Sequence, residues 1–126
     1  MNLTLPLAVF LAWPAGVALA STWSGSLVDA KCYASEEFNT NPTNTLKNVD
    51  SDRAQEIRAC RPKQKTKSFT LVQVDGQSVN LDDAGNAKAA DLVRTAGKPR
   101  CLYVTVTGEK TGQVIKVESI AQPPGH

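Results

Sequence analysis

Three cysteines, Cys32, Cys60 and Cys101, are the residues with the most chemistry available to them. In an oxidising compartment they allow three single pairings and leave one thiol over. Cys32 and Cys60 bracket a long non-periodic stretch. Bridging them would close a loop of roughly 29 residues, worth about 3–4 kcal/mol on a chain-entropy account. That pairing is the leading expectation; Cys32–Cys101 and Cys60–Cys101 remain open alternatives. Under the leading pairing Cys101 is the free thiol. Lys98 and Arg100 precede it, which makes a reactive thiol or an intermolecular pairing the sharper reading, although neighbours along a strand point to opposite faces. An unpaired cysteine is also a good small apolar side chain. No C-x-x-C occurs, which argues against a thioredoxin-like dithiol, and the ligands for a structural zinc are too few.

The other groups point away from catalysis. The single histidine is His126, the last residue, which removes Ser-His-Asp and Cys-His arrangements. Asp82-Asp83 stands before a helical pattern and reads as a cap. Glu36-Glu37 reads as solvated surface, and neither a phosphate-binding glycine loop nor an EF-hand spacing is present. The expectation is a protein that is not an enzyme, with no cofactor and no metal. Asp29 ends the first strand pattern, as an Asx turn or cap or else as a polar contact in a ligand groove. Trp23 serves either the core or a stacking surface.

Compartment follows from the N-terminus. Met1–Ala20 is apolar, uncharged and ends Ala18-Leu19-Ala20, the small-x-small pattern of a cleavage site. The apolar run from Leu3 to Trp13 is short of the about 20 residues that span a bilayer. A cleaved leader is expected, with the protein secreted or periplasmic after cleavage following Ala20. No later stretch is apolar enough to enter a membrane. The net charge of +2 implies neither nucleic acid nor an anionic surface. Its distribution is uneven: Arg58, Arg61, Lys63, Lys65 and Lys67 follow one another with no acid between them, as a solvated loop or a docking patch for an anionic partner.

The elements that must position these residues read mainly as strand. Trp23–Asp29 is a first strand, with Trp23, Gly25 and Leu27 on one face; Gly25 marks a bulge or a close backbone approach. Asn39–Asn48, rich in Asn and Thr around Pro42, reads as loop. Asp50 or Ser51 then caps a short helix from Asp52 to about Cys60, with Ala54, Ile57 and Cys60 near one face and Pro62 ending it. Ser68–Val74 and Ser78–Leu81 form a hairpin around Asp75-Gly76. Asp82-Asp83 opens a helix whose stripe is Ala89, Leu92, Val93 and Ala96, stopped by Gly97 and Pro99. Cys101–Thr107 alternates, with Leu102, Val104 and Val106 on the apolar face. Gly108–Gly112 is a turn, and Gln113–Ile120 is the last strand, with Ile115 and Val117 on one face. The order predicts a small five-stranded OB-fold-like β-barrel with one helix between strands three and four and a long first connection containing a short helix. It forms a single domain over residues 21–121, with a disordered tail at 122–126.

The run W-S-G-S-L-V-D-A-K-C from Trp23 to Cys32, the Cys60 region, F-T-L-V-Q-V-D-G and A-G-K-P-R-C-L-Y-V-T-V-T-G together resemble a family of small secreted bacterial OB-like domains of uncharacterised function. Such domains often carry two nearby cysteines in the first connection, where this chain has Cys60 alone, and Cys101 is not a position the resemblance includes. The resemblance implies no reaction, substrate or catalytic residue.

OB barrels bind oligonucleotides and oligosaccharides on the face of strands two and three, between the first and last loops. The candidate ligand contacts are Trp23, Asp29, Tyr33, Phe38, Lys63, Lys65 and Tyr103. Two Trp, two Tyr and three Phe with almost no net charge argue against single-stranded nucleic acid, which needs aromatics in a basic groove. A glycan, peptide or envelope protein is the expected partner. The leading reading is a non-catalytic binding or accessory module, which expects a concave face with clustered exposed aromatics; a face covered by the first connection would count against it. The alternative is a structural or stress-tolerance envelope protein without a small ligand. A third is a redox protein using its free thiol.

Overall fold

The computed structural model describes residues 20–38, 46–97 and 101–123, without the side chains of 37, 38 and 46–52. The expected leader apart from Ala20, the side chain of Phe38, residues 39–45, Lys98–Arg100 and the last residues of the expected tail, including His126, lie outside this description.

Alternating burial builds the strands. In β1 (Ser21–Asp29) Gly25 and Leu27 are buried, and Trp23 packs partly buried against the main core. β2 (Phe69–Gln73) turns Phe69 and Leu71 inward, and β3 (Ser78–Leu81) turns Val79 and Leu81 inward. β4 (Leu102–Thr111) contributes Leu102, Val104 and Val106, and β5 (Val114–Ala121) contributes Ile115 and Val117. The strands close into a barrel in the order β1-β2-β3-β5-β4. β1 pairs antiparallel with both β2 and β4, while β3 meets β5 in parallel at Asn80↔Val114 and Leu81↔Ile115. This is the expected small OB-like barrel.

The helix between β3 and β4 plugs one end. Over Asp83–Ala96 its stripe puts Ala89 and Val93 into the core, with Leu92 and Ala96 half-buried beside them. Asp82 caps it, accepting from the Gly85 N–H at 2.9 Å and from the Val117 N–H at 3.1 Å. One carboxylate oxygen therefore ties the helix start to β5.

Two glycines allow backbones to approach. A Cβ at Gly25 would lie 2.3 Å from the Val72 carbonyl oxygen, so the expected close approach is present. At Gly108 a Cβ would lie 2.1 Å from the Lys116 carbonyl oxygen. The β4–β5 register shifts between Thr107 and Gly108, so β4 continues through a bulge instead of turning at Gly108. The turn falls at Gly112-Gln113. β2 is shorter than expected: Val74 is 78% exposed in the hairpin turn.

The first connection departs most from expectation. It holds two helices instead of one, α1 (Ala30–Phe38) and α2 (Leu46–Ala59); the helix that plugs the barrel is therefore α3. Asp50 and Ser51 lie inside α2 and do not cap it, and Leu46–Asn48 is helical where loop was expected. Ala54 is exposed; Ile57 and Cys60 face inward. α1 left little periodic signal because its inward anchors, Cys32 and Tyr33, are adjacent and draw no stripe at helical spacing.

These helices cover the outer face of β1 and β2. Val28 and Val72 point away from the barrel core, yet are buried in a second cluster with Tyr33 and Cys60, flanked by Cys32 and Ile57. The expected concave face is thus partly covered by the first connection.

Candidate functional site

Asp29 is the junction on which the site's framework is built. It stands where β1 meets α1, and both its carboxylate oxygens accept hydrogen bonds from the chain. The Cys32 N–H donates to Oδ1 at 3.1 Å, capping α1, and the Thr66 hydroxyl donates to Oδ2 at 2.9 Å. Thr66, itself buried, accepts from the Lys63 N–H at 3.0 Å. Backbone bonds from Asp29 N–H to the Cys60 carbonyl (2.8 Å) and from Ala30 N–H to the Ser68 carbonyl (3.0 Å) complete the junction. The expected polar contact point is thus filled by the chain's own donors.

The Cys32–Cys60 disulfide is the pairing expected from spacing, with a Cα–Cα distance of 5.4 Å. It joins the first turn of α1 to the residue just after α2, so both helices are pinned to the barrel wall. Cys101 is a free, exposed cysteine immediately before β4.

A groove remains where α1 stops covering the sheet. It lies between α1 and the outer faces of β2 and β3, with Gln113 of the β4–β5 turn in its lining, and has a volume of about 570 Å³. That volume is in the range of small-ligand sites. Its lining includes Thr70, Ser78 and Asn80 from the strands, with Lys31 and Tyr33 from α1. Thr70 sits opposite Asn80 in the β2–β3 register and donates its hydroxyl to Asn80 Oδ1 at 2.7 Å. This fixes the exposed amide and leaves its two N–H donors for another acceptor. Accessible hydroxyl and amide groups, with one ammonium, Lys31, suit neutral polar ligands held by hydrogen bonds.

Of the sequence-predicted contacts whose side chains are described, only Tyr33 lines this groove, and it is 3% exposed. Trp23 packs against the main core from the far part of β1. Tyr103 is half-buried on β4, opposite Ser26. Lys63 and Lys65 are exposed on the 60–68 segment, and Lys65 lines a different groove, beside α3. Among the described side chains the expected aromatics and basic residues are not brought together: Tyr33 and Lys65 line different grooves. Thr70, Ser78 and Asn80 on strand exteriors and Gln113 in a turn were missed because polar side chains there look like ordinary solvated positions. Their shared position at the β2–β3 face and last turn was the available signal.

Among the described residues no cluster of three or more His, Cys, Asp or Glu could hold a metal ion, and no helix is long and apolar enough to cross a membrane. The fold and groove define a closed five-stranded OB-like barrel with a disulfide-pinned helical cover and a polar cleft at the cover's edge. Comparison with protein-family models, curated proteins and solved structures finds no match to the chain.

Proposed function

We propose that this protein is an exported, non-catalytic binding module that takes a neutral polar ligand, an oligosaccharide or short peptide segment, in the groove between α1 and the β2–β3 face. The observation that carries this reading is the Thr70–Asn80 pair, a pre-set hydrogen-bonding position in a cleft of about 570 Å³. Export rests on the leader-like N-terminus and accords with a disulfide, which persists in oxidising compartments. The resemblance to small secreted OB-like domains belongs to the same proposal.

Titrating isotope-labelled protein with a panel of neutral oligosaccharides and peptides tests it. Amide shifts are expected to cluster at Lys31, Ser78, Asn80 and Gln113, and Ser78→Trp should abolish them by filling the cleft. Shifts clustering elsewhere, or none across the panel, would overturn it. A second reading, a structural envelope protein without a small ligand, is favoured by the burial of Val28 and Val72 beneath the helical cover. It predicts silence in the same titration. The third, a redox role for Cys101, is supported only by the exposure of that thiol.

A further inference from the structure

The basic run lies beside a second groove. Arg58, Arg61, Lys63, Lys65 and Lys67 are all exposed. Their segment is held in shape. Cys60 anchors one end through its disulfide, the Thr66 N–H donates to the Lys63 carbonyl at 3.1 Å, and the Thr66 hydroxyl is bound to Asp29. Thr66 is buried, while Lys65, inside the turn that the Thr66–Lys63 backbone bond closes, and Lys67 are exposed on either side of it.

Lys65 and Lys67 form one wall of a cleft of about 700 Å³; α3 forms the other, with Ala87 and Ala90 on its surface and Arg94 near its end. One carboxylate, Asp83, lines the same cleft, and Arg94 pairs with Asp91 on its own helix. The cations exceed the acids, and the preset loop spares much of the ordering cost of presenting them. Gln64 and Asn86 add amides; Asn86 Oδ1 accepts from the Phe69 N–H at 2.9 Å, so its nitrogen keeps its donors.

What the cleft lacks narrows the ligand. Among the described residues none that lines it is aromatic, so they offer no platform for nucleic-acid bases. Its apolar lining consists of alanines, too small to anchor a lipid chain or a hydrophobic peptide side chain. Spaced cations and amide donors on an open surface match a chain bearing regular acidic groups and hydroxyls. We propose that the cleft between residues 64–67 and α3 binds a strand of acidic polysaccharide, with Lys65, Lys67 and Arg94 holding its carboxylates or sulfates and Gln64 and Asn86 its hydroxyls. This proposal stands apart from the β2–β3 groove and does not depend on it.

Titration calorimetry of the full chain with polygalacturonate and, separately, dextran sulfate tests it and distinguishes carboxylate from sulfate. Binding to at least one is expected, weakening as sodium chloride rises from about 50 to about 200 mM as screening shortens. The double substitution Lys65→Gln and Lys67→Gln should lower affinity at least about tenfold, equivalent to about 1.4 kcal/mol. Lys110→Gln with Lys116→Gln, an equal loss of charge on exposed positions of β4 and β5, should change it less than about twofold. Equal losses in both pairs, no binding at low salt, or tighter binding of poly-glutamate or oligo-dT would each overturn the proposal.

Discussion

At the residue scale Asp29 and Thr66 do the most joining. Residues 29 and 66 are far apart in sequence, and their hydrogen bond links the end of β1 to the basic segment. A charged acceptor makes such a bond stronger than a neutral one. Replacing Thr66 by Val keeps its shape and leaves Asp29 Oδ2 without its donor. Stability should fall by about 1–3 kcal/mol, as an acceptor loses its partner away from bulk water; urea unfolding of the two proteins measures this. The same change should loosen Lys65 and Lys67, so their amide exchange should quicken more than that of the barrel strands. Sequence marked Asp29 as a cap or contact, and the cap is what the Cys32 N–H finds. Thr66 gave no signal, because its importance lies in a partner brought close only by folding.

At the scale of elements, the two helices of the first connection have little reason to stay put on their own. α1 anchors mainly through Cys32 and Tyr33, and α2 through Ile57 and the adjoining Cys60. The disulfide joins those two anchor points, 28 residues apart in sequence. The double substitution Cys32→Ser and Cys60→Ser should therefore lower stability by about 2–4 kcal/mol. Heat denaturation of the wild type with and without reductant checks the same point. Thiol labelling of the unfolded, unreduced wild type should modify Cys101 alone, and all three cysteines after reduction. The barrel strands should remain slow to exchange in the disulfide-free protein, because their main core, centred on Leu27, Leu71, Leu102 and Ile115, excludes the helical cover.

At the scale of the whole molecule, the two candidate grooves lie on separate parts of the surface. The cover over β1 and β2 ends at α1 and leaves the β2–β3 cleft, while the return segment to β2 runs beside α3 and makes the cationic cleft. The residues lining them are different, so ligands in the two should not compete. Ser78→Trp should block the first groove and leave polygalacturonate affinity within about twofold of wild type, the scatter expected for independent sites. A common loss would show that the two grooves are coupled through the disulfide-pinned segment between them.

The local sequence determined the barrel's elements. Alternation in β4, Asp-Gly between β2 and β3, Asp82 before α3 and Gly97 after it each act within a few residues and mark those elements out, while the parallel β3–β5 pairing that closes the barrel is a long-range contact. The Cys32–Cys60 pairing was the leading option because both residues bracket one connection, yet only their approach to 5.4 Å selects it from the alternatives. The tertiary structure alone decided the candidate sites. α1 owes its place to a disulfide and to burial against Val28 and Val72, long-range contacts that leave no period in the chain. The Thr70–Asn80 pair depends on strand register, and the separation of Lys65 from Tyr33 depends on which side of the barrel each connection crosses. Hydrophobic alternation specifies which face of a strand is inward, and it carries no information about what will cover the face left outside.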